Sequence, residues 1–452
     1  MTDDLAPRVP SRAHVYPASV TQSRLIMMRY AQGGVPAQVV GAHLLLRGPL
    51  DVRRLRNAFV ELVRRHTILR TNYALSESGE VLAIVHQDEG PNVFEVTPGT
   101  DLSDHGDIVE HGNTLLQNIV HRFTSPDRHS MLQAVLVPHT SGLHSLVLAI
   151  DHITVDERSK ALLQTELAAL YAGRGDTLPE PSPYDAAGVR NTFPDLDDVP
   201  GLRELLTPLP PRFLSSPDPC SDPEAFRPVV AARALGTVIW EQVGASARRH
   251  RCTRFIVHVT AVMWALKHFS RSDDISIVIP MDTRRRPQDF DTVGFFQNLV
   301  LVRSRAPRAA GIGATLEECR SIIREAFQRR DYPIATLVSA ARSERSEPCR
   351  NPLYQVALAY ATENVDLGWR LDGVDVTPVE IEFPEAAVEL FVYLTESSAD
   401  TEAMLVGAEG ALGSADLDRL LALWREALCE LTDQRGAEAS ELGDQLFEPS
   451  AR

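Results

Sequence analysis

A histidine and an aspartate stand four residues apart at the end of an apolar run, in Ala149-Ile150-Asp151-His152-Ile153-Thr154-Val155-Asp156-Glu157. The run from Leu143 to Ile150 reads as a buried strand, and Leu162, Leu163, Glu166, Leu167, Leu170 and Tyr171 follow at helical spacing. A histidine between a strand and a helix has rigid backbone on both sides, which fixes its ring at the rim of a core. An imidazole held that way can serve as a general base, a contribution worth ~10²–10⁴-fold in rate. Polar residues that merely cap a turn are the plainer alternative, and the rest of the chain decides between the two.

Several other chemistries are not supported. Gly311-Ile312-Gly313 lacks the third glycine and the preceding strand of a phosphate loop. No Gly-x-Ser-x-Gly elbow, no His-Glu-x-x-His pair and no Cys-x-x-Cys occurs. The five cysteines, Cys220, Cys252, Cys319, Cys349 and Cys429, are scattered and odd in number, which points to a reduced protein without structural zinc. The formal net charge of −16 argues against a nucleic-acid partner. The expectation is a cytoplasmic monomer: no apolar run approaches the ~20 residues of a membrane span, and the acidic start Met-Thr-Asp-Asp lacks a signal-peptide core.

The elements that must position the histidine are mixed. Asp51 to His66 shows one apolar helical face with Leu55, Phe59, Leu62 and Val63. Leu132–Val137 and Leu143–Ile150, separated by Pro138-His139-Thr140-Ser141-Gly142, suit a hairpin. Further on, helices are expected over Thr253–Phe269, Thr315–Phe327 and Asp416–Leu431, and strands over Ile275–Pro280, Leu353–Tyr360, Val388–Leu394 and Met404–Ala408. At 452 residues the chain exceeds one ordinary core. Twelve of its thirty prolines fall between Gly173 and Pro228, a stretch too long for an ordinary loop and expected to pack across both halves. The reading is α/β of the two-layer sandwich type: an N-terminal lobe over 1–180, a Pro-rich connector over 181–227 and a C-terminal lobe over 228–452.

Six segments form an ordered series: Tyr16-Pro17-Ala18-Ser19-Val20-Thr21-Gln22-Ser23-Arg24-Leu25, Arg65-His66-Thr67-Ile68-Leu69-Arg70-Thr71, and Asp151 to Glu157. Asp282-Thr283-Arg284 with Val293-Gly294-Phe295-Phe296-Gln297-Asn298, Arg330-Asp331-Tyr332-Pro333 with Leu337-Val338, and Asn351-Pro352-Leu353-Tyr354-Gln355-Val356 complete it. In this order the six resemble the motifs of the condensation domains of nonribosomal peptide synthetases, with Asp151 to Glu157 in place of their His-His-x-x-x-Asp-Gly core. The resemblance implies two chloramphenicol-acetyltransferase-like lobes in a V, with a central tunnel that pantetheine-borne substrates enter from opposite faces. It implies a free-standing condensation enzyme with no permanently bound cofactor, without adenylation or carrier segments. Such an enzyme transfers an acyl group from the phosphopantetheine arm of an acyl- or peptidyl-carrier protein to an amine or hydroxyl on a small-molecule or carrier-bound acceptor, forming an amide or ester.

By that resemblance His152 and Asp156 are the catalytic pair: His152 receives the acceptor's proton, and Asp156 pairs with Arg284 to hold the turn that aims it. Backbone N–H groups after Asp156 would stabilise the tetrahedral oxyanion. Gly294 and Asn298 would shape a strand crossing between lobes, while Glu157, Tyr354 and Gln355 are substrate-channel candidates. Two positions depart from the pattern. Asp151 replaces the first histidine, where a carboxylate sharing low-dielectric space would raise the basicity of the adjacent imidazole. Glu157 replaces glycine, adding bulk and charge at the tunnel waist. Relatives with altered cores serve as inactive docking platforms for carrier proteins or tailoring enzymes, which is the rival function; an acyl-coenzyme A-dependent acyltransferase is a third.

Overall fold

The computed structural model describes residues 14–31, 39–87, 93–123, 131–184, 193–216, 222–345, 350–362, 369–379, 381 and 386–432. The acidic N-terminal start, Cys220, Cys349 and connector residues 185–192 and 217–221 lie outside them. Helices form where a capping side chain meets an apolar stripe. Asp51 caps Val52–Arg65 by accepting the Arg54 N–H at 2.9 Å, and Leu55, Ala58, Phe59, Leu62 and Val63 form its buried face. Thr253 does the same for Arg254–Ser270. Caps of this kind are worth ~1 kcal/mol each.

The described residues within Met1–Thr192, Thr283–Gln297 and Asp366–Glu382 pack as one compact unit, and those within Phe193–Asp282, Asn298–Val365 and Phe383–Arg452 as a second. The units are therefore discontinuous in sequence: two segments from the expected 228–452 lobe group with the first. The expected connector is likewise shared out. Tyr184 lies in the first unit's core, whereas Leu202 and Leu206 of the short helix Leu202–Leu206 are buried with Val278, Leu301 and Tyr332 in the second.

Among the described residues, the first unit holds a five-stranded sheet in the order Asp375–Val379, Val39–Arg47, Leu143–Asp151, Leu132–Pro138, Phe94–Val96. The expected hairpin is present, with Leu132 opposite Ile150 and Val135 opposite Val147. The strand Leu143–Asp151 is covered on both faces. Leu146, Leu148 and Ile150 join the core under the helices Val52–Arg65 and Glu157–Tyr171, and Val147 and Ala149 pack with Leu116 and Ile119 of the helix His105–Arg122. A central strand buried on both sides reads as a continuous apolar run, not an alternation, and it carries His152 on a rigid mount. Three further strands, His14–Pro17, Thr71–Leu75 and Val81–Val85, form a smaller antiparallel sheet.

In the second unit the described strands run Gln297–Ser304, Ile275–Asp282, Val356–Thr362, Leu390–Glu396, Thr401–Ala408, Pro228–Ala234. Val356–Thr362 is parallel to both of its neighbours and the Leu390 to Ala234 pairings are antiparallel. Helices Arg254–Ser270, Gly311–Gln328 and Ser414–Leu431 cover one face. This is the expected mixed α/β packing with strand ends shifted, and a second core on the alternate strand residues Val278, Leu301 and Ala357 adds a further layer to the expected two. The strand expected from Leu353 begins at Val356, because Leu353 and Tyr354 are buried in a separate core with Val338 and Ala341. No helix among the described residues is long and apolar enough to cross a membrane.

Candidate active site

The strand Leu143–Asp151 ends in a tight turn. The Asp151 carboxylate accepts the Ile153 N–H at 3.1 Å and the Thr154 hydroxyl donates to the Asp151 carbonyl at 2.7 Å, closing the 3₁₀ turn His152–Thr154. Asp156 then caps the helix Glu157–Tyr171, its Oδ1 accepting the Ser159 N–H at 2.8 Å. His152 thus stands between two capped elements, as its spacing predicts.

His152 is half-buried, and its Nδ1 lies 2.7 Å from the Val155 carbonyl oxygen. A carbonyl only accepts, so in the neutral ring Nδ1 carries the proton and Nε2 carries the lone pair. Nε2 has no partner among the described residues. The Phe295 ring meets the imidazole nearly perpendicular, at 87° and 5.5 Å between centroids. A hydrogen bond on one side and an aromatic contact on another fix the direction of Nε2.

Asp151 does not act on the imidazole as expected. It is fully buried and forms a two-pronged ion pair with Arg29, at 3.0 and 3.1 Å. Its charge is matched by a guanidinium from the helix Val20–Ala31, and its remaining bond goes to the turn backbone. Gln22 of the same helix approaches from that side, donating to the Ile153 carbonyl at 3.1 Å and to the Tyr73 hydroxyl at 2.7 Å. Ser19 and Gln22 exchange backbone-to-side-chain bonds of 3.2 Å, a reciprocal cap at the helix start. Sequence reasoning passed over Arg29 and Gln22. Ser-x-x-Gln at the head of the first motif was the readable signal for Gln22, and nothing local marks Arg29.

The pair of Asp156 with Arg284 is present and buried, at 6% and 4% exposure. Arg284 Nη1 donates to Oδ2 at 2.6 Å and Nη2 to Oδ1 at 3.0 Å, and the Phe296 N–H adds a third bond to Oδ2 at 3.0 Å. The guanidinium also reaches the Asp289 and Thr292 carbonyls and the Ser159 hydroxyl, and lies 4.2 Å from the centroid of the Phe296 ring. Ser159 bonds the Gly294 N–H and carbonyl at 3.0 and 2.8 Å. The first turn of the helix Glu157–Tyr171 is thereby bolted to the loop Arg284–Phe296. Gly294 is glycine for a steric reason: a Cβ there would fall 2.0 Å from Tyr184 Cδ2.

The other site candidates divide between the two units. Glu157 is exposed and pairs with Lys160 one turn on, at 2.7 Å, so it is not the buried charge that a blocked waist requires. Asn298 lies in the second unit, where its amide donates to the Arg330 and Tyr332 carbonyls at 2.9 and 2.6 Å and pins the turn before the helix Ile334–Glu344. The Gln355 side chain is taken up by the backbone of Phe213 and Leu214 and by Glu389. Tyr354 is buried in the second unit's core. The second motif is structural, since Arg65 and His66 both bond Glu166 on the helix Glu157–Tyr171, at 2.7 and 3.1 Å. Burial alone would raise the Glu166 carboxyl; the bonds from His66 and Arg65 outweigh it and hold the group below its usual value.

Among the described residues no group of histidine, cysteine and carboxylate side chains could hold a metal ion. The arrangement offers one aimed imidazole nitrogen. The helix that begins five residues on, 15 residues long, has at its positive end the Glu157 and Arg158 N–H groups, which have no intrahelical partner. These are the parts for proton removal and for stabilising a developing oxyanion.

Comparison with known proteins gives a consistent result. The family model described as Condensation domain matches residues 12–186 and 220–406. Chondramide synthase cmdD of Chondromyces crocatus is 25% identical over 449 residues, covering 96% of this chain and 11% of that protein, so the chain spans about a tenth of that relative's length. The condensation domain from Monacolin K polyketide synthase MokA superposes with a TM-score of 0.72 at 19% identity, over 93% of this chain and 98% of that one. A structure of the X-domain in complex with OxyB from teicoplanin biosynthesis gives 0.74 at 18%, over 97% and 98%. At these identities the structural likeness establishes the fold.

Proposed function

This chain belongs to the condensation-domain family, and from that membership we propose that it transfers an acyl group from a carrier-protein pantetheine thioester to an amine or hydroxyl acceptor in natural-product assembly. The observation that carries the reading is the His152 ring, with Nδ1 engaged by Val155 and Nε2 without a partner among the described residues, one short turn ahead of a helix N-terminus. The acceptor nitrogen or oxygen attacks the thioester carbonyl carbon and its proton passes to Nε2. The oxyanion gathers near the Glu157 and Arg158 N–H groups. Collapse of the intermediate breaks the carbon–sulfur bond, and the leaving thiolate takes the proton back from the imidazolium. Asp156 takes no proton in this scheme. Its oxygens accept four bonds from Arg284, Ser159 and Phe296, which makes it a support for the turn.

The test is product formation, followed by mass, from acyl-loaded carrier protein and a panel of amine and alcohol acceptors, with acyl-coenzyme A as the alternative donor. His152→Ala should lower turnover by ~10²-fold or more while leaving the melt unchanged, because the ring lies on a turn outside the core. A variant that keeps more than about a tenth of turnover removes His152 from the mechanism.

A docking platform is the second reading. The departures at Asp151 and Glu157 and the likeness to the X-domain favour it. Inertness toward every donor, together with saturable binding of a carrier protein or tailoring enzyme, would establish it over catalysis.

A further inference from the structure

Tyr184, from the Pro-rich stretch, grips three successive residues of the loop that faces His152. Its hydroxyl donates to the Phe295 carbonyl at 3.2 Å. Its ring meets Phe296 edge-on, at 5.2 Å and 79°. Its Cδ2 occupies the space that any side chain at 294 would need. Tyr184 is 4% exposed, and burial pushes its phenol well above the usual range, outweighing a hydrogen bond with Ser19 that acts the other way. A phenol so placed stays a neutral donor.

The opposite side of the same loop is held by Asp156 and Ser159, through the Phe296 N–H and both backbone groups of Gly294. Phe295, between these anchors, is buried and presents its ring to the imidazole. The Val155 carbonyl fixes one ring nitrogen of His152 but leaves the side chain's χ angles soft, since a single hydrogen bond tolerates tilt. The aromatic contact removes that tilt, and such pairs are worth ~0.5–1.5 kcal/mol beyond their burial.

We propose that Tyr184 and Phe295 are positioning residues: Tyr184 fixes the Phe295 backbone, and the Phe295 ring holds the His152 imidazole with Nε2 facing the acceptor. The proposal rests on the reading of His152 as the base. It adds a residue from the connector to the support of the site and gives a role to the first Phe of Gly294-Phe295-Phe296.

The test compares Phe295→Leu, Phe295→Tyr and Tyr184→Phe in the full chain by two measurements. Long-range ¹H–¹⁵N correlation spectra report the tautomer of His152, assigned by the signal lost in His152→Ala. Steady-state kinetics separate kcat from KM. Wild type should show one Nδ1–H tautomer. Phe295→Leu should mix the two and lower kcat about 10–100-fold, the scale of a sub-ångström misplacement, with KM little changed. Tyr184→Phe, which deletes one oxygen and so survives if Phe295→Leu does not fold, should move both readouts in the same direction by less. Phe295→Tyr, which keeps the ring, should restore wild-type behaviour. A single Nδ1–H tautomer and wild-type kcat in both Phe295→Leu and Tyr184→Phe overturn the proposal, even where stability falls. Full activity in His152→Ala would instead sink the base assignment, while the tautomer spectra would still report the clamp.

Discussion

Removal of the Arg284 guanidinium offers the sharpest physical test of the site's frame. Arg284→Ala takes two charge-assisted bonds, of 2.6 and 3.0 Å, from the Asp156 carboxylate and leaves it only the Ser159 and Phe296 N–H groups. It also frees the Ser159 hydroxyl and the Asp289 and Thr292 carbonyls from their guanidinium donors. Since Asp156 is 6% exposed, its charge stays buried without a counterion, a loss of ~3–5 kcal/mol. At roughly 2–4 °C per kcal/mol for domains of 150–250 residues, melting should fall by about 10 °C. Asp156→Ala leaves the guanidinium buried and should cost a comparable amount. The double variant, which buries neither charge, should melt well above the sum of the two losses. Arg284→Lys keeps the charge but not the fork and should fall between wild type and alanine. Melting by circular dichroism across the four variants decides it. Single variants within a degree or two of wild type, or a double variant that loses the full sum, would refute the buried pair as the frame of the turn.

Gly294→Ala should destabilise the chain by ~1–3 kcal/mol as an overpacked position, and Tyr184→Ala in the same background should recover part of the loss; a neutral Gly294→Ala in urea titration contradicts the contact. His43 should make the fold acid-sensitive. Burial first, then His139, His111 and His105, lower it from 6.5 to about 4, so between those values the unfolded chain takes a proton that the folded chain refuses. Stability is therefore lost as pH falls through that window, by about 3 kcal/mol once it is crossed. His43→Gln should flatten the drop in urea midpoint between about pH 6.5 and 5, and an unchanged slope rules His43 out as its source. Glu157→Gly removes only an exposed ion pair worth ~0.2–1 kcal/mol and should leave turnover level or lower; activity gained from an inert wild type would identify Glu157 as a block and favour the platform.

What the sequence made legible follows the range of the interactions. The strand Leu143–Asp151 and the helix Glu157–Tyr171 were readable because an apolar run and a helical spacing are local signals. The partnership of Asp156 with Arg284, 128 residues apart, was reachable only through the family resemblance. A motif names a residue without naming its partner. Asp151 was assigned to the adjacent imidazole, yet it serves Arg29, 122 residues upstream. Gln355 stands in a motif as a channel candidate, and no local signal announces that its amide meets the backbone of Phe213 and Leu214, 142 and 141 residues away. Tyr184 was hidden in a stretch whose prolines announce only the lack of regular structure. Propensity and period carry no information about which distant side chain will satisfy a buried donor.

The ion pair of Asp151 with Arg29 bears on how such a core can change over time. A relative with histidine at position 151 and arginine at position 29 would hold a buried cation with no counterion, and one with aspartate alone would hold the opposite defect. Each single step between the two arrangements crosses a destabilised intermediate, so the two positions are tied to one another as inherited characters although 122 residues separate them. A segment spanning Asp151 to Glu157 therefore cannot be transplanted by itself. A chimera that exchanges this turn must exchange the face of the Val20–Ala31 helix with it, and recombination points drawn between them would separate residues that function only together.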